Sequence, residues 1–329
     1  MTVSYAYSQP ERVAPDTAAK VRAAAERLGY PGPHPGARSL RRGRAGSLGV
    51  IIGERLTYAF DDPQAARFLA GVADVCAAEG VGLTLVPVTG ADSDVQRVSE
   101  AVVDGFIVWT TSDDDPVLDA VAATGLPAVV HAGPARLGLP VVGIDDRAAA
   151  TAIGRLAFTG AARPAVLSFP INRDRAQALL TGSSSPLVTY PVTRHRWDGF
   201  LESWRQAGGA AADLRLAICP ANATANGEAF ADELFRGDDP PDAIAAMSDE
   251  LALGALRAAV RAGRSVPDVV AITGWDDSDA AASAGLTTLR QSLRDQGSRC
   301  ARIALGNWQP AASKDPPSWQ VIQRTSTRS

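Results

Sequence analysis

At 329 residues the chain can hold two domains of ordinary size, and 46% hydrophobic with 21% charged residues is the balance of a globular core under a charged surface. No apolar run is long and charge-free enough to span a bilayer, and the N-terminus has neither the basic nor the apolar region of a signal peptide, so a cytoplasmic chain with no membrane partner is expected. The net charge of -4 divides unevenly: residues 1–47 carry eight basic groups against three acidic ones, a net of +5, which leaves -9 on the remainder. A basic arm on an acidic body suits contact with phosphates by the arm alone, although charge by itself fits a solvated linker equally.

The first element is a short helix over Thr2–Ser8, broken by Gln9-Pro10-Glu11-Arg12-Val13. Ala14-Pro15-Asp16-Thr17 opens a second helix that runs to Leu28, where Gly29-Tyr30 ends it. Pro33 to Arg44 is a basic linker, and the apolar run Leu48-Gly49-Val50-Ile51-Ile52 follows. From there β-branched runs alternate with Ala-rich amphipathic stretches. Strands are predicted at 48–52, 83–86, 105–109 and 128–130, separated by helices near 65–79, 95–102 and 117–124.

A second set comprises helix 147–158, strand 165–168, helix 195–207, strand 214–219, helix 225–235, strand 243–247, helix 251–262 and strand 269–273. This rhythm gives an α/β fold of two lobes, each a parallel sheet flanked by helices. Three crossovers between lobes are expected, near Gly143–Asp146, Thr288–Gln291 and Gly306–Ala311.

Catalytic constellations are missing from the pattern. The only lysines, Lys20 and Lys314, do not follow a glycine-rich loop, and neither Gly-x-Ser-x-Gly nor His-Glu-x-x-His occurs. His34, His131 and His195 are scattered, and Cys76, Cys219 and Cys300 lack any C-x-x-C spacing, so no metal, no disulfide framework, no cofactor and no enzyme is expected. Asp113-Asp114-Asp115 ahead of Pro116 reads as a solvated run that caps a helix, and Asn222-Ala223-Thr224 as an idle glycosylation pattern.

TVSYAYSQPERVAPDTAAKVRAAAERLGY, followed by ARSLRRGRAGSLGVII, resembles the LacI/GalR family of bacterial repressors. In that family Thr-Val-Ser opens the recognition helix, (Ser/Ala)-Pro-x-Thr starts the third helix, Gly-Tyr ends it and Ala-Arg-x-Leu forms the hinge helix; Val321 to Thr327 looks like its closing strand and tail. The resemblance implies operator DNA as a partner, a periplasmic-binding-protein-like core and a homodimer. Ser4 and Ser8 would contact phosphate and Tyr5 base edges, with Thr2, Arg12 and Thr17 completing the headpiece contacts. In the hinge, Leu40 would wedge into the central step, Ala37 would allow close approach and Arg38 would hold phosphate. Domains then follow as a partial headpiece at 1–32, a hinge at 33–47 and a core at 48–329, with lobe 1 near 48–144 and 292–308 and lobe 2 near 145–291 and 309–329. A complete headpiece would have roughly twenty more residues before Thr-Val-Ser. Val3, Val21 and Leu28 would therefore lack a third helix to pack on, so residues 1–45 are expected to be disordered or partly helical and operator binding weak.

The same resemblance implies a small-molecule effector, a sugar or related metabolite, bound between the lobes. Arg196 in Arg196-Trp197-Asp198-Gly199-Phe200 would reach it from a helix start, Asp276 in Gly274-Trp275-Asp276-Asp277 would accept its hydroxyls, and Gln291 would lie at the crossover floor. Ser248 takes an asparagine's place in the strand-to-helix motif, and Asp249 beside it reads as an N-cap. Tyr58, Phe60 and Asp62 follow the first strand and Trp109 ends the third; these aromatics either stack on a ligand ring or pack the lobe. After His131, Ala132-Gly133 stand where the family often has an aspartate, which implies a contact set unlike that of its sugar-binding members there. A stand-alone solute-binding protein of the same two-lobe fold is the alternative function.

Overall fold

Ser47–Ile52 (β1) carries an unbroken apolar run because both of its faces are covered: Leu48, Val50 and Ile52 point into one apolar layer and Ile51 into the other. The computed structural model describes residues 2–8, 10–30, 44–52, 60, 62–184, 186–307 and 318–328. Around β1 the chain adds Pro63–Glu79 (α3), Gly82–Pro87 (β2), Ser93–Ser99 (α4), Phe106–Trp109 (β3), Pro116–Ala123 (α5), Ala128–His131 (β4) and Val141–Val142 (β5). The five strands are parallel in the order β2-β1-β3-β4-β5.

The second lobe runs through Asp146–Phe158 (α6), Pro164–Ser168 (β6), Ala178–Thr181 (β7), Pro191–Gln206 (α7), Arg215–Ile218 (β8), Thr224–Arg236 (α8), Ala243–Ala246 (β9), Asp249–Arg261 (α9), Ala271–Thr273 (β10) and Asp279–Ser283 (α10). Its sheet has the order β10-β9-β6-β8-β7, and it departs from the expected all-parallel pattern because β7 runs antiparallel to β8 at the edge. Thr288–Gln291 (β11) leads to Leu293–Ala304 (α11), which packs on α3 in the first lobe, and Trp319–Ile322 (β12) pairs antiparallel with β11. The crossovers at 143–146 and 288–291 are thus present, whereas most of the one expected at 306–311 lies outside the described residues.

Three helix pairs cross closely on glycines, two of them on a glycine from each helix. A Cβ at Gly71 of α3 would lie 1.9 Å from Arg294 O of α11, and one at Gly297 of α11 would lie 2.2 Å from Phe68 O of α3. Gly227 and Gly254 seat α8 on α9 in the same way, at 2.3 Å from Leu251 O and 2.2 Å from Thr224 O. Gly199 seats α7 on α6, at 2.4 Å from Arg147 O. Backbones this close leave no room for a side chain.

At the N-terminus, Thr2–Ser8 (α1) and Pro15–Arg27 (α2) pack through Ala6, Ala18 and Ala25, with Tyr7 edge-on to Tyr30 at 6.1 Å. Val3 and Leu28 stay exposed, at 52% and 78%. The expected hinge residues Ala37, Arg38 and Leu40 lie outside the described residues, as does Tyr58.

Candidate functional site

The carboxyl ends of the parallel strands in both lobes open onto one cleft, with about 870 Å³ of unfilled space that is partly open to solvent. Lobe 1 supplies Asp62, Trp109, His131 and Ala132; lobe 2 supplies Phe169, Tyr190, Arg196, Asn222 and Asp276; Gln291 and Gln296 enter from the crossover and α11.

Arg196 sits on the second turn of α7, not at its start, because Pro191 opens that helix four residues earlier than the sequence periodicity indicated. Its buried guanidinium donates from Nε to Asp146 Oδ1 at 2.8 Å and from one terminal nitrogen to Met247 O at 2.6 Å. It also lies 4.0 Å from the Trp275 ring centre. A buried cation requires such partners, and here they fix its plane. Asp146 is free for this because its neighbour Asp145 caps α6 by accepting from Ala148 N.

Asp276 follows β10 with φ at +107°, a backbone region that a non-glycine residue rarely adopts, and Asp277 follows at +51°. Two consecutive left-handed residues turn the first carboxylate into the cleft and leave the second to Arg290 and Arg324, each at 2.6 Å. Asp276 accepts from Gln291 Nε2 at 2.8 Å, and burial pushes its pKa well above the ordinary carboxylate value, with Arg196 and Gln291 pulling against that shift and Asp249 and Asp62 adding to it.

The hydrogen bonding continues into lobe 1. Gln296 Nε2 donates to Gln291 Oε1 at 3.1 Å, and His131 Nε2 lies 2.8 Å from Gln296 Oε1. With the amides so oriented, His131 donates from Nε2, and its buried Nδ1 has no partner among the described residues. Burial pushes this imidazole down to about 4, so it is neutral. Trp109 stacks on it at 4.7 Å and 20°.

Ser248 stands behind the cleft: it caps α9 by accepting from Leu251 N, and it donates to Asn222 Oδ1 at 2.6 Å. Asn222 Nδ2 then reaches across the lobes to Asp62 Oδ2 at 2.6 Å. Asp249, expected as the cap, is the first helical residue instead; its buried carboxylate accepts from Ser278 N and Thr288 Oγ1.

The structure therefore brings Arg196, Asp276, Gln291 and Trp109 together, sets Ser248 one residue back, and leaves Phe60 exposed at 69% and off the cleft lining. Among the headpiece residues, Thr2, Ser4, Tyr5 and Ser8 share α1, Arg12 lies over the Tyr5 ring at 6.0 Å, and Thr17 is exposed on α2. Asp146, His131, Asn222, Tyr190 and Gln296 are not among the site residues expected from the sequence. The Asp145-Asp146 doublet was the one available signal, since a single cap needs only one of them. No helix among the described residues is long and apolar enough to cross a membrane, and no group of potential metal ligands gathers among them.

Residues 175–327 match the periplasmic binding protein-like domain. The chain is 37% identical over 309 residues to the HTH-type transcriptional regulator Rv3575c of Mycobacterium tuberculosis, covering 92% of this chain and 86% of that protein. Among solved structures, a LacI family transcriptional regulator from Corynebacterium glutamicum superposes with a TM-score of 0.75 at 27% identity, over 99% of this chain and 95% of that one. The CelR regulator in complex with cellobiose shares the fold, with a TM-score of 0.68 at 24% identity over 98% of this chain and 94% of that one. With its two-lobed core, strand-end cleft and headpiece helices, the chain belongs to the LacI family of HTH-type transcriptional regulators.

Proposed function

We propose that this regulator is a homodimeric repressor whose operator affinity is set by a neutral, polyhydroxylated effector held in the interlobe cleft. The observation that carries the choice of effector is the charge inventory of the cleft. Asp62, Asp146 and Asp276 line it, while Arg196 is already engaged by Asp146 and Met247 O, and Arg175 donates to Pro220 O. A phosphate or carboxylate would meet Asp62 and Asp146 with both lining guanidiniums already bonded within the protein, whereas hydroxyls can donate to carboxylate oxygens and exchange hydrogen bonds with Asp276, whose pKa burial raises. Trp109 and Phe169 offer aromatic faces for the apolar side of a sugar ring. The cellobiose held by CelR, on the same fold, is in keeping with this reading.

Effector binding would change the angle between the lobes and with it the spacing of the two hinge segments, which lie mostly outside the described residues, so that DNA affinity and effector affinity become coupled. A thermal-shift comparison tests the choice of ligand. Glucose, galactose, ribose and cellobiose are set against glucose 6-phosphate and gluconate. At least one neutral sugar is expected to raise the melting temperature, because a ligand that binds only the folded state stabilises it. A shift confined to the anionic compounds would overturn the assignment.

A further inference from the structure

The aspartate run after β3 does more than cap a helix. Asp115 is buried and accepts from Val117 N at 3.0 Å, which caps α5, but it also accepts from Thr111 Oγ1 and from the guanidinium of Arg173 in the other lobe. Asp113 is bound by Arg194 of α7, also in the other lobe, with a second contact of 3.3 Å; its backbone N–H donates to Thr189 O across the same gap at 3.0 Å. Arg194 is braced on its own lobe by Val188 O at 2.9 Å. A Cβ at Gly90 in lobe 1 would lie 3.3 Å from a terminal nitrogen of Arg173, so the loop after β2 makes room for that side chain. None of these four charged residues lines the effector cleft.

We propose that Asp113 and Asp115, gripping Arg194 and Arg173, form an electrostatic clasp that holds the two lobes closed and so sets how often the cleft opens. Its position gives it leverage on the site. Arg194 of the clasp and Arg196 of the cleft lie two residues apart on α7, so that helix registers both the lobe angle and the occupant of the cleft. Ion pairs that remain partly exposed weaken with salt, which makes the closed fraction depend on ionic strength. The inference concerns lobe closure alone and needs no effector, so it stands or falls separately from the ligand assignment.

Spin labels on Glu100→Cys and Asp238→Cys, both at exposed positions and one in each lobe, would report the interlobe distance in the full chain; Cys76, Cys219 and Cys300 are buried. At low salt the distribution should be narrow. Arg194→Asp should shift at least about tenfold more molecules to longer distances, as should molar NaCl. The paired exchange Asp113→Arg with Arg194→Asp should return the distribution towards the original. Asp115→Asn, which retains a capping side chain, should open the lobes without unfolding α5. Distributions that superpose across all these variants and salts, or an exchanged pair that stays as open as Arg194→Asp alone, would overturn the clasp.

Discussion

Arg196 shows how one side chain's value lies in what it leaves behind when removed. Arg196→Ala strips the buried Asp146 carboxylate of its partner, which is expected to cost about 3–5 kcal/mol of stability. Arg196→Lys retains the charge but gives up the planar fork and the stack on Trp275, so it should fold while losing most of any sugar-induced thermal shift. A lysine variant with a full shift would contradict the placement of the guanidinium. His131 makes a pH prediction. Its folded value near 4 lies below its ordinary 6.5, so between those values the unfolded chain binds a proton that the folded protein refuses. Stability therefore falls as pH drops through that window, by about 2–3 kcal/mol from this residue between about pH 7 and about pH 4.5. Asp276 and Asp249, whose values are raised, work in the opposite direction. Urea unfolding of the native protein and of His131→Gln at both pH values isolates the histidine, and equal losses in the two would refute it. Asp276 and Gln291 were legible in the sequence because each sits in a short motif with fixed spacing. His131, Asn222 and Gln296 were not, because their roles depend on contacts between segments 26 to 165 residues apart, which no local pattern encodes.

At the scale of elements, period and punctuation located most helices and strands of the core. Helix α7 begins at Pro191, where a proline at the first turn extended the helix beyond its apolar stripe, and β7 is a half-exposed edge strand whose pattern is too weak to register. Helix α11 lies outside the elements expected from the sequence, although its close seat on α3 is what returns the chain to the first lobe. That seat is open to test. Gly71→Ala would drive a methyl into Arg294 O and should cost about 1–3 kcal/mol or more, whereas Gly237→Ala, whose Cβ would have no neighbour closer than 3.6 Å, should be near neutral. Denaturant midpoints of the two variants decide the matter, and equal midpoints would refute the close-crossing account.

For the whole molecule, two lobes that each bury their own apolar layers can move against one another without disturbing either core, and this freedom makes a cleft into a regulator. Lobe 1 leaves Leu83 on its edge strand β2, Val95 on α4 and Val102 after it partly or largely exposed. A homodimer that covers apolar edges of this kind is expected to sediment as a dimer at micromolar concentration, and a monomer there would contradict it. On the proposed function, cleft occupancy and operator binding share one equilibrium. Its most direct test takes a DNA site selected from random sequence and measures its affinity with and without the neutral sugar that gives the largest thermal shift. The same titration is then run with Asp276→Asn. The sugar should change the affinity of the native protein by roughly 5–150-fold and leave that of the variant unaltered. An equal change in both proteins, or none in the native one, would contradict the account.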